Sequence, residues 1–107
     1  LKSLIRVFTS GEELTVKMVN DFLQLRNNDF TATLHNLYGP TETAVDSTYF
    51  DIENTEKVVE VPIGKPIANT KIYIINKSFC GIGIPGELCI SGSGVSRGYL
   101  NKKELST

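Results

Sequence analysis

Several residue types are scarce in this chain, and their scarcity limits the kinds of site it can contain. The 107 residues include no tryptophan, one histidine (His35) and two cysteines, Cys80 and Cys89. Two cysteines at this spacing form neither a disulfide framework nor a metal-binding pattern, so we expect free thiols in a reducing compartment. A lone histidine within a strand pattern, with no paired base, nucleophile or metal ligand beside it, is expected to be structural.

Charge of one sign and long apolar runs are also lacking. Eleven basic side chains are balanced by twelve acidic ones, leaving a net charge of −1, so there is no basic field to drive nucleic-acid binding. No apolar run has the length of a transmembrane helix, and no signal peptide opens the chain. We therefore expect a cytoplasmic protein that binds neither nucleic acid nor membrane. The hydrophobic fraction of 40% is sufficient for a core.

The first half of the chain alternates strand and helix patterns. An apolar run at residues 4–9 predicts a strand, and apolar positions at helical spacing predict an amphipathic helix over residues 15–27 with Thr15 as its N-cap. Residues 30–37 and 44–51 predict two further strands. Strand, helix and strand joined by short loops form a βαβ unit, so the first two strands are expected to be parallel.

The second half has no long helical period. Residues 52–62 are a polar connection, and strands are predicted at residues 71–75 and 87–91, separated by turns. The expected fold is α/β, with a partial parallel βαβ layer in residues 1–51 followed by a small antiparallel β-barrel-like piece in residues 62–107. Because the chain begins inside a strand and ends without a terminal element, we expect it to be cut from a larger domain.

Two glycine patterns resemble a dinucleotide-binding fingerprint without its context. Residues 81–86 spell G-x-G-x-x-G, but Pro85 and a strand pattern follow where the fingerprint requires a helix. The glycines at positions 92, 94 and 98 follow a strand, but the third is one place late. Both patterns predict turns.

The most informative stretch is residues 36–43, N-L-Y-G-P-T-E-T. A Gly-Pro pair makes a tight turn, and the loop carries an aromatic ring, hydroxyls and one carboxylate. These groups suit a nucleotide and its Mg²⁺, because a ring can stack on a base and a carboxylate can bind the metal. Ligands of parallel sheets bind beyond the carboxyl ends of the strands, where this loop and Ser10-Gly11-Glu12 should lie side by side. The alternative interpretation is a surface turn with a packed tyrosine.

Residues 36–42 resemble the N-x-Y-G-P-T-E core motif of adenylate-forming enzymes, specifically the adenylation domains of nonribosomal peptide synthetases. Three more stretches resemble the family in the same order: F-T-S-G-E at 8–12, V-P-I-G-K-P-I at 61–67, and G-E-L-C-I-S-G with R-G-Y-L at 86–92 and 97–100. The resemblance covers nearly the whole chain and implies an internal fragment, residues 1–107, of an AMP-binding adenylation domain. Because the family's phosphate loop, ribose-binding aspartate and catalytic lysine would lie outside these residues, we expect no turnover by the fragment alone.

The resemblance also implies a reaction. The parent enzyme joins an amino acid to ATP, releases pyrophosphate, and passes the aminoacyl group to the thiol of a phosphopantetheinyl carrier domain. Tyr38 would stack on adenine, Asn36 would bond its amino edge, Thr41 would meet the phosphate and Glu42 would bind Mg²⁺. The residues implied in catalysis are Thr41 and Glu42, and those implied in ATP binding are Gly11, Glu12, Asn36, Tyr38, Gly39 and Thr41.

A substrate pocket is implied from the same strand ends. Its matching positions are Phe8, Ser10, Leu37, Val45 and Asp46. Two of these are polar in an otherwise apolar set, which suits a small side chain bearing a hydroxyl, and a site built to bond a hydroxyl rejects analogues that lack it. The set resembles that of serine-activating domains, so serine is the predicted substrate, with ornithine or another polar amino acid next. The alternative is that Asp46 faces solvent from an alternating strand.

Two other identities remain open at this point. One is a fragment of an acyl- or aryl-CoA ligase from the same superfamily. The other, of a different class, is a non-catalytic β-rich binding module that carries similar motifs.

Overall fold

The structure is a computed structural model that describes residues 3–53 and 58–106. Part of the expected polar connection, residues 54–57, lies outside the described residues. The elements in chain order are β1 (Arg6–Thr9), α1 (Val16–Leu25), β2 (Thr33–Tyr38), β3 (Thr48–Ile52), β4 (Lys65–Pro66), β5 (Thr70–Asn76), β6 (Ser78–Phe79) and β7 (Glu87–Gly92). Short 3₁₀ helices lie at Thr41–Thr43 and Lys103–Leu105.

The first sheet has the strand order β1-β2-β3-β4. β1 and β2 are parallel, with Phe8 opposite His35, and α1 lies between them along the chain, as the sequence predicts. β3 is antiparallel to both of its neighbours. The carboxyl ends of β1 and β2 therefore meet at one edge of the sheet, which is where the two candidate loops begin.

The helix covers one face of this sheet. The Thr15 hydroxyl caps it by accepting from the Met18 N–H at 3.2 Å. Its apolar stripe places fully buried Val19 against Leu34 of β2 and Ile52 of β3. The helix ends at Leu25, two residues before the predicted end, because the Asn27 side chain accepts from the N–H groups of the following turn.

The predicted strand over residues 44–51 is wrong in its first part, since β3 begins only at Thr48. Ala44 and Val45 have φ values of 57° and 76°, in the left-handed region that a strand cannot use. These two residues reverse the chain, and the Ser47 N–H then donates to the Tyr38 carbonyl at 2.7 Å. The reversal is what allows β3 to run back along β2.

The later strands form a second, three-stranded antiparallel sheet with the order β6-β5-β7. β4, although it follows the predicted division near residue 62, pairs with β3 in the first sheet. The three strands form an open sheet, so a barrel-like closure stays a prediction. Both glycine patterns form turns, as predicted, with hydrogen bonds from the Ile84 N–H to Gly81 and from the Val95 N–H to Gly92.

Within the described ranges, no helix is long and apolar enough to cross a membrane. Both cysteines are free, as expected.

Candidate functional site

A cavity of about 360 Å³ opens at the carboxyl ends of β1 and β2. The loop after β1, the end of β2 and the segment before β4 contribute its ten lining residues, which are Gly11, Glu12, Glu13, Leu14, Asn36, Leu37, Tyr38, Gly39, Val61 and Ile63. The two loops predicted to lie side by side therefore share one cavity. Five of the six predicted ATP-binding residues line it, and Thr41 does not.

Asn36 has a fixed orientation at this cavity. Its side chain is buried, and its Nδ2 donates to the Pro62 carbonyl at 3.1 Å. One of the two amide hydrogens is thus used by the chain itself, and this bond fixes which way the amide points. The Oδ1 atom is the part of the side chain that can accept from an exocyclic amine.

The loop after β2 is tightly folded on itself. A Cβ at Gly39 would lie 2.4 Å from the Val45 carbonyl oxygen and 2.7 Å from the Ser47 nitrogen, so only glycine fits there. Buried Thr43 donates to the Pro40 carbonyl at 3.0 Å and contacts the Ser47 hydroxyl at 2.7 Å. The second threonine of the T-E-T sequence is therefore structural, while Thr41 and Glu42 are exposed.

Glu42 is held by the segment that follows β7. The Tyr99 hydroxyl donates to Glu42 Oε1, and the Ser96 N–H donates to the Glu42 carbonyl at 2.7 Å. The bond from Tyr99, with one from the Glu42 backbone N–H, lowers the pKa of the Glu42 carboxyl. The same bond raises the pKa of Tyr99. Tyr99 belongs to the R-G-Y-L motif, but the resemblance assigns it no role. Tyr99 and Glu42 are 57 positions apart, so no local sequence pattern indicates their contact.

The chemistry of Glu42 fits a Mg²⁺ ion shared with a phosphate. Mg²⁺ is commonly held by one or two carboxylates together with substrate phosphates and water. The lowered pKa favours the charged form of this carboxylate, and the bond from Tyr99 fixes one of its two oxygens, Oε1. The described part of the chain contains no group of three or more His, Cys, Asp or Glu side chains that could hold a metal ion, so Glu42 would act with ligands from the nucleotide.

The structure brings together the two polar residues of the predicted substrate set. The Ser10 hydroxyl donates to Asp46 Oδ1 at 2.6 Å. Asp46 is half-buried, so it is not simply a solvent-facing position of a strand. Of the apolar members, Leu37 lines the cavity, whereas Phe8 and Val45 are each 58% exposed and lie outside it.

His35 has more partners than the sequence indicates. Its Nδ1 lies 2.6 Å from Asp51 Oδ1 and its Nε2 lies 2.8 Å from Thr33 Oγ1. Phe8 stacks on the ring with centroids 4.9 Å apart. These contacts tie three adjacent strands together on the face opposite α1, in agreement with the expected structural role.

Four lining residues are not among those predicted: Glu13, Leu14, Val61 and Ile63. The segment that carries Val61 and Ile63 is anchored by Asn20 of α1, which forms two hydrogen bonds with the backbone of Val58 at 3.0 and 3.1 Å. The only sequence signal for this part of the site is the V-P-I-G-K-P-I resemblance, which assigns it no contact.

Comparison with known proteins shows which family this chain is similar to. A family model described as "AMP-binding enzyme" matches residues 1–100. Tyrocidine synthase 3 of Brevibacillus parabrevis is 44% identical over 106 residues, which cover 97% of this chain and 2% of that protein. Bacitracin synthase 3 of Bacillus licheniformis is 40% identical over 109 residues, which cover 99% of this chain and 2% of that protein. The comparisons do not favour the two alternative identities, a CoA ligase fragment and a non-catalytic module.

Two solved structures are similar in fold. A four-domain nonribosomal peptide synthetase bound to AMP and glycine has a TM-score of 0.78 and 30% identity, over 94% of this chain and 7% of that chain. An artificially fused adenylation–PCP di-domain from Klebsiella oxytoca has a TM-score of 0.78 and 25% identity, over 95% of this chain and 21% of that chain. The chain thus spans a small part of the proteins it matches. It belongs to the AMP-binding enzyme family, as a fragment of an adenylation domain of a nonribosomal peptide synthetase.

Proposed function

We propose that the protein containing this chain activates an amino acid by joining its carboxylate to ATP, which forms an aminoacyl adenylate and releases pyrophosphate. The thiol of a carrier domain then takes the aminoacyl group as a thioester, and AMP leaves. The observation that carries the proposal is the cavity shared by the loop after β1 and the loop after β2, because it brings five of the residues implied in ATP binding to one place.

The cavity supplies groups for the adenine half of ATP. Tyr38 lines the cavity and is partly exposed, so its ring is available for stacking. Asn36 Oδ1 accepts from the adenine amino group, and the bond from Nδ2 to the Pro62 carbonyl fixes the orientation of the amide. The backbone of Gly11 and Glu12 lines the other loop.

The phosphates would extend from this cavity towards the exposed 3₁₀ turn that carries Thr41 and Glu42. The Thr41 hydroxyl donates to a phosphate oxygen, and Glu42 holds Mg²⁺. When bound, the metal ion neutralises the negative charge that would otherwise repel an attacking carboxylate.

The nucleotide assignment is tested with Tyr38→Leu in the full-length protein. Stacking on an aromatic ring contributes about 1–3 kcal/mol per base, so the KM for ATP in amino-acid-dependent ATP–pyrophosphate exchange should rise about tenfold. Tyr73→Leu, which alters a half-buried tyrosine of the second sheet, is the matched control. An unchanged KM for ATP in Tyr38→Leu would exclude the stacking role.

The proposed amino acid is serine, with ornithine or another polar amino acid next. The Ser10–Asp46 hydrogen bond supports this choice, because it places a hydroxyl and a carboxylate together where a substrate hydroxyl could be bonded. Phe8, Leu37 and Val45 would surround the substrate side chain. Phe8 and Val45, which are exposed in this chain, would be covered by the rest of the domain.

The substrate assignment is tested with Asp46→Ala in the full-length protein. Serine-dependent exchange should fall at least tenfold, since one lost hydrogen bond to a charged group costs about 1.5–3 kcal/mol. Asp21→Ala removes a carboxylate from the exposed face of α1, where it pairs with Lys17, and should leave exchange unchanged. If Asp46→Ala retains full serine-dependent exchange, the serine assignment is wrong.

A further inference from the structure

The segment after β7 holds Glu42 at two points. Its backbone contributes the bond from the Ser96 N–H to the Glu42 carbonyl, and its Tyr99 side chain contributes the bond to Glu42 Oε1. The segment also approaches the neighbouring residue closely, because a Cβ at Gly94 would lie 3.2 Å from the Thr43 carbonyl oxygen. The exposed turn is therefore fixed by a part of the chain that lies beyond the second sheet.

Tyr99 is itself held in place. Its N–H donates to the Ser106 hydroxyl at 2.9 Å, and that hydroxyl donates to the Lys102 carbonyl at 3.2 Å. Gly98 has a φ of 116°, and a Cβ there would lie 2.7 Å from Ser106 Oγ, so the chain approaches Ser106 too closely for any other residue. Residues 98–106 thus form a small closed structure from which the Tyr99 ring projects to Glu42.

We infer that Tyr99 is a positioning residue whose hydroxyl holds Glu42 Oε1 and so orients the carboxylate for a metal ion bound with the phosphates of ATP. The inference rests on the proposed function. It adds Tyr99, which is not among the site residues implied by the resemblance. A glutamate side chain on an exposed turn samples many rotamers, and ordering it opposes metal binding. The Tyr99 bond orders it beforehand, which lowers the cost at the moment of binding.

The test uses Tyr99→Phe in the full-length protein, with Tyr73→Phe as the control that removes a hydroxyl from the second sheet. Tyr99→Phe deletes one hydroxyl from a side chain that is 45% exposed, so the fold should be retained. Binding is measured with Mn²⁺ by electron paramagnetic resonance, in the presence of a non-hydrolysable ATP analogue. The Mn²⁺ dissociation constant should rise about three- to fivefold, the loss expected for one exposed hydrogen bond to a charged group.

Activity provides a second readout. The Mg²⁺ concentration that gives half-maximal ATP–pyrophosphate exchange should rise by the same factor in Tyr99→Phe, while the KM for the amino acid is unchanged. A purely structural role would instead change both KM values or the thermal midpoint without a selective effect on the metal. Equal Mn²⁺ affinities in Tyr99→Phe and Tyr73→Phe would overturn the inference.

The variant Glu42→Gln distinguishes a failure of this inference from a failure of the proposed function. If Glu42 is the metal ligand, Glu42→Gln weakens Mn²⁺ binding more than Tyr99→Phe does, and Tyr99→Phe added to Glu42→Gln has no further effect. If Glu42→Gln weakens binding but Tyr99→Phe does not, only the positioning role fails. If Glu42→Gln leaves Mn²⁺ binding unchanged, the metal assignment of the proposed function fails.

Discussion

Replacing Gly39 with alanine should distort the loop that carries the Y-G-P-T-E sequence of this chain. The added methyl would lie 2.4 Å from the Val45 oxygen, 2.7 Å from the Ser47 nitrogen and 2.9 Å from the Asp46 Cα. All three are backbone atoms, so no side-chain rotation can relieve the contacts. To reach ordinary van der Waals distance the Val45 oxygen must move about 1 Å.

The loss of stability in Gly39→Ala can be worked out from the contacts that the movement would disrupt. Residues 44–47 would be pushed away from β2, and the bond from the Ser47 N–H to the Tyr38 carbonyl at 2.7 Å would lengthen. Ser47 is 1% exposed, so its N–H would gain no water in exchange. Overpacking of this kind costs about 1–3 kcal/mol and a buried N–H left unpaired costs about as much, so the free energy of unfolding should fall by about 2–6 kcal/mol.

Urea unfolding of the full-length protein tests the predicted loss of stability, and ATP–pyrophosphate exchange tests the predicted effect on ATP binding. Gly81→Ala is the matched control, because its φ is not positive and a Cβ there meets only the Ile84 Cδ1 atom at 3.8 Å. The control should stay within about 0.5 kcal/mol of the parent. The KM for ATP should rise only in Gly39→Ala, since Tyr38 would move with the loop. If the two variants are equally stable and equally active, the close approach of residues 44–47 to Gly39 is refuted.

Three further outcomes are expected. Val19→Ala should lower the free energy of unfolding by about 2 kcal/mol, measured in urea, because fully buried Val19 loses two methyl groups. Thr15→Ala should cost about 1 kcal/mol in the same assay and Thr15→Ser much less, because serine retains the cap on the Met18 N–H. The isolated chain should bind Mg-ATP weakly in calorimetry, because the phosphate loop and ribose-binding aspartate implied by the resemblance lie outside it; micromolar binding would contradict this.

Local sequence predicts the elements whose causes are local. The apolar spacing of α1 and its Thr15 cap are both visible within one stretch of residues, and so are the strand runs of β5 and β7. The predicted start of β3 is four residues early, because Ala44 and Val45 are strand-compatible residue types forced into the left-handed region by the return of the chain. Two-residue β4 is not predicted, since its pairing with Thr48 and Tyr49 depends on where the chain comes back.

By itself, the sequence determined which residue types stand in the loop after β2 and which family they resemble, because a motif is a property of consecutive residues. It also predicted that this loop and the loop after β1 are neighbours, because parallel strands end at the same edge of a sheet. Only the tertiary structure decided that Ser10 bonds Asp46, that Pro62 orients Asn36, and that Tyr99 reaches Glu42. These contacts join residues 26 to 57 positions apart, and their geometry is set by the packing of whole strands rather than by any local preference.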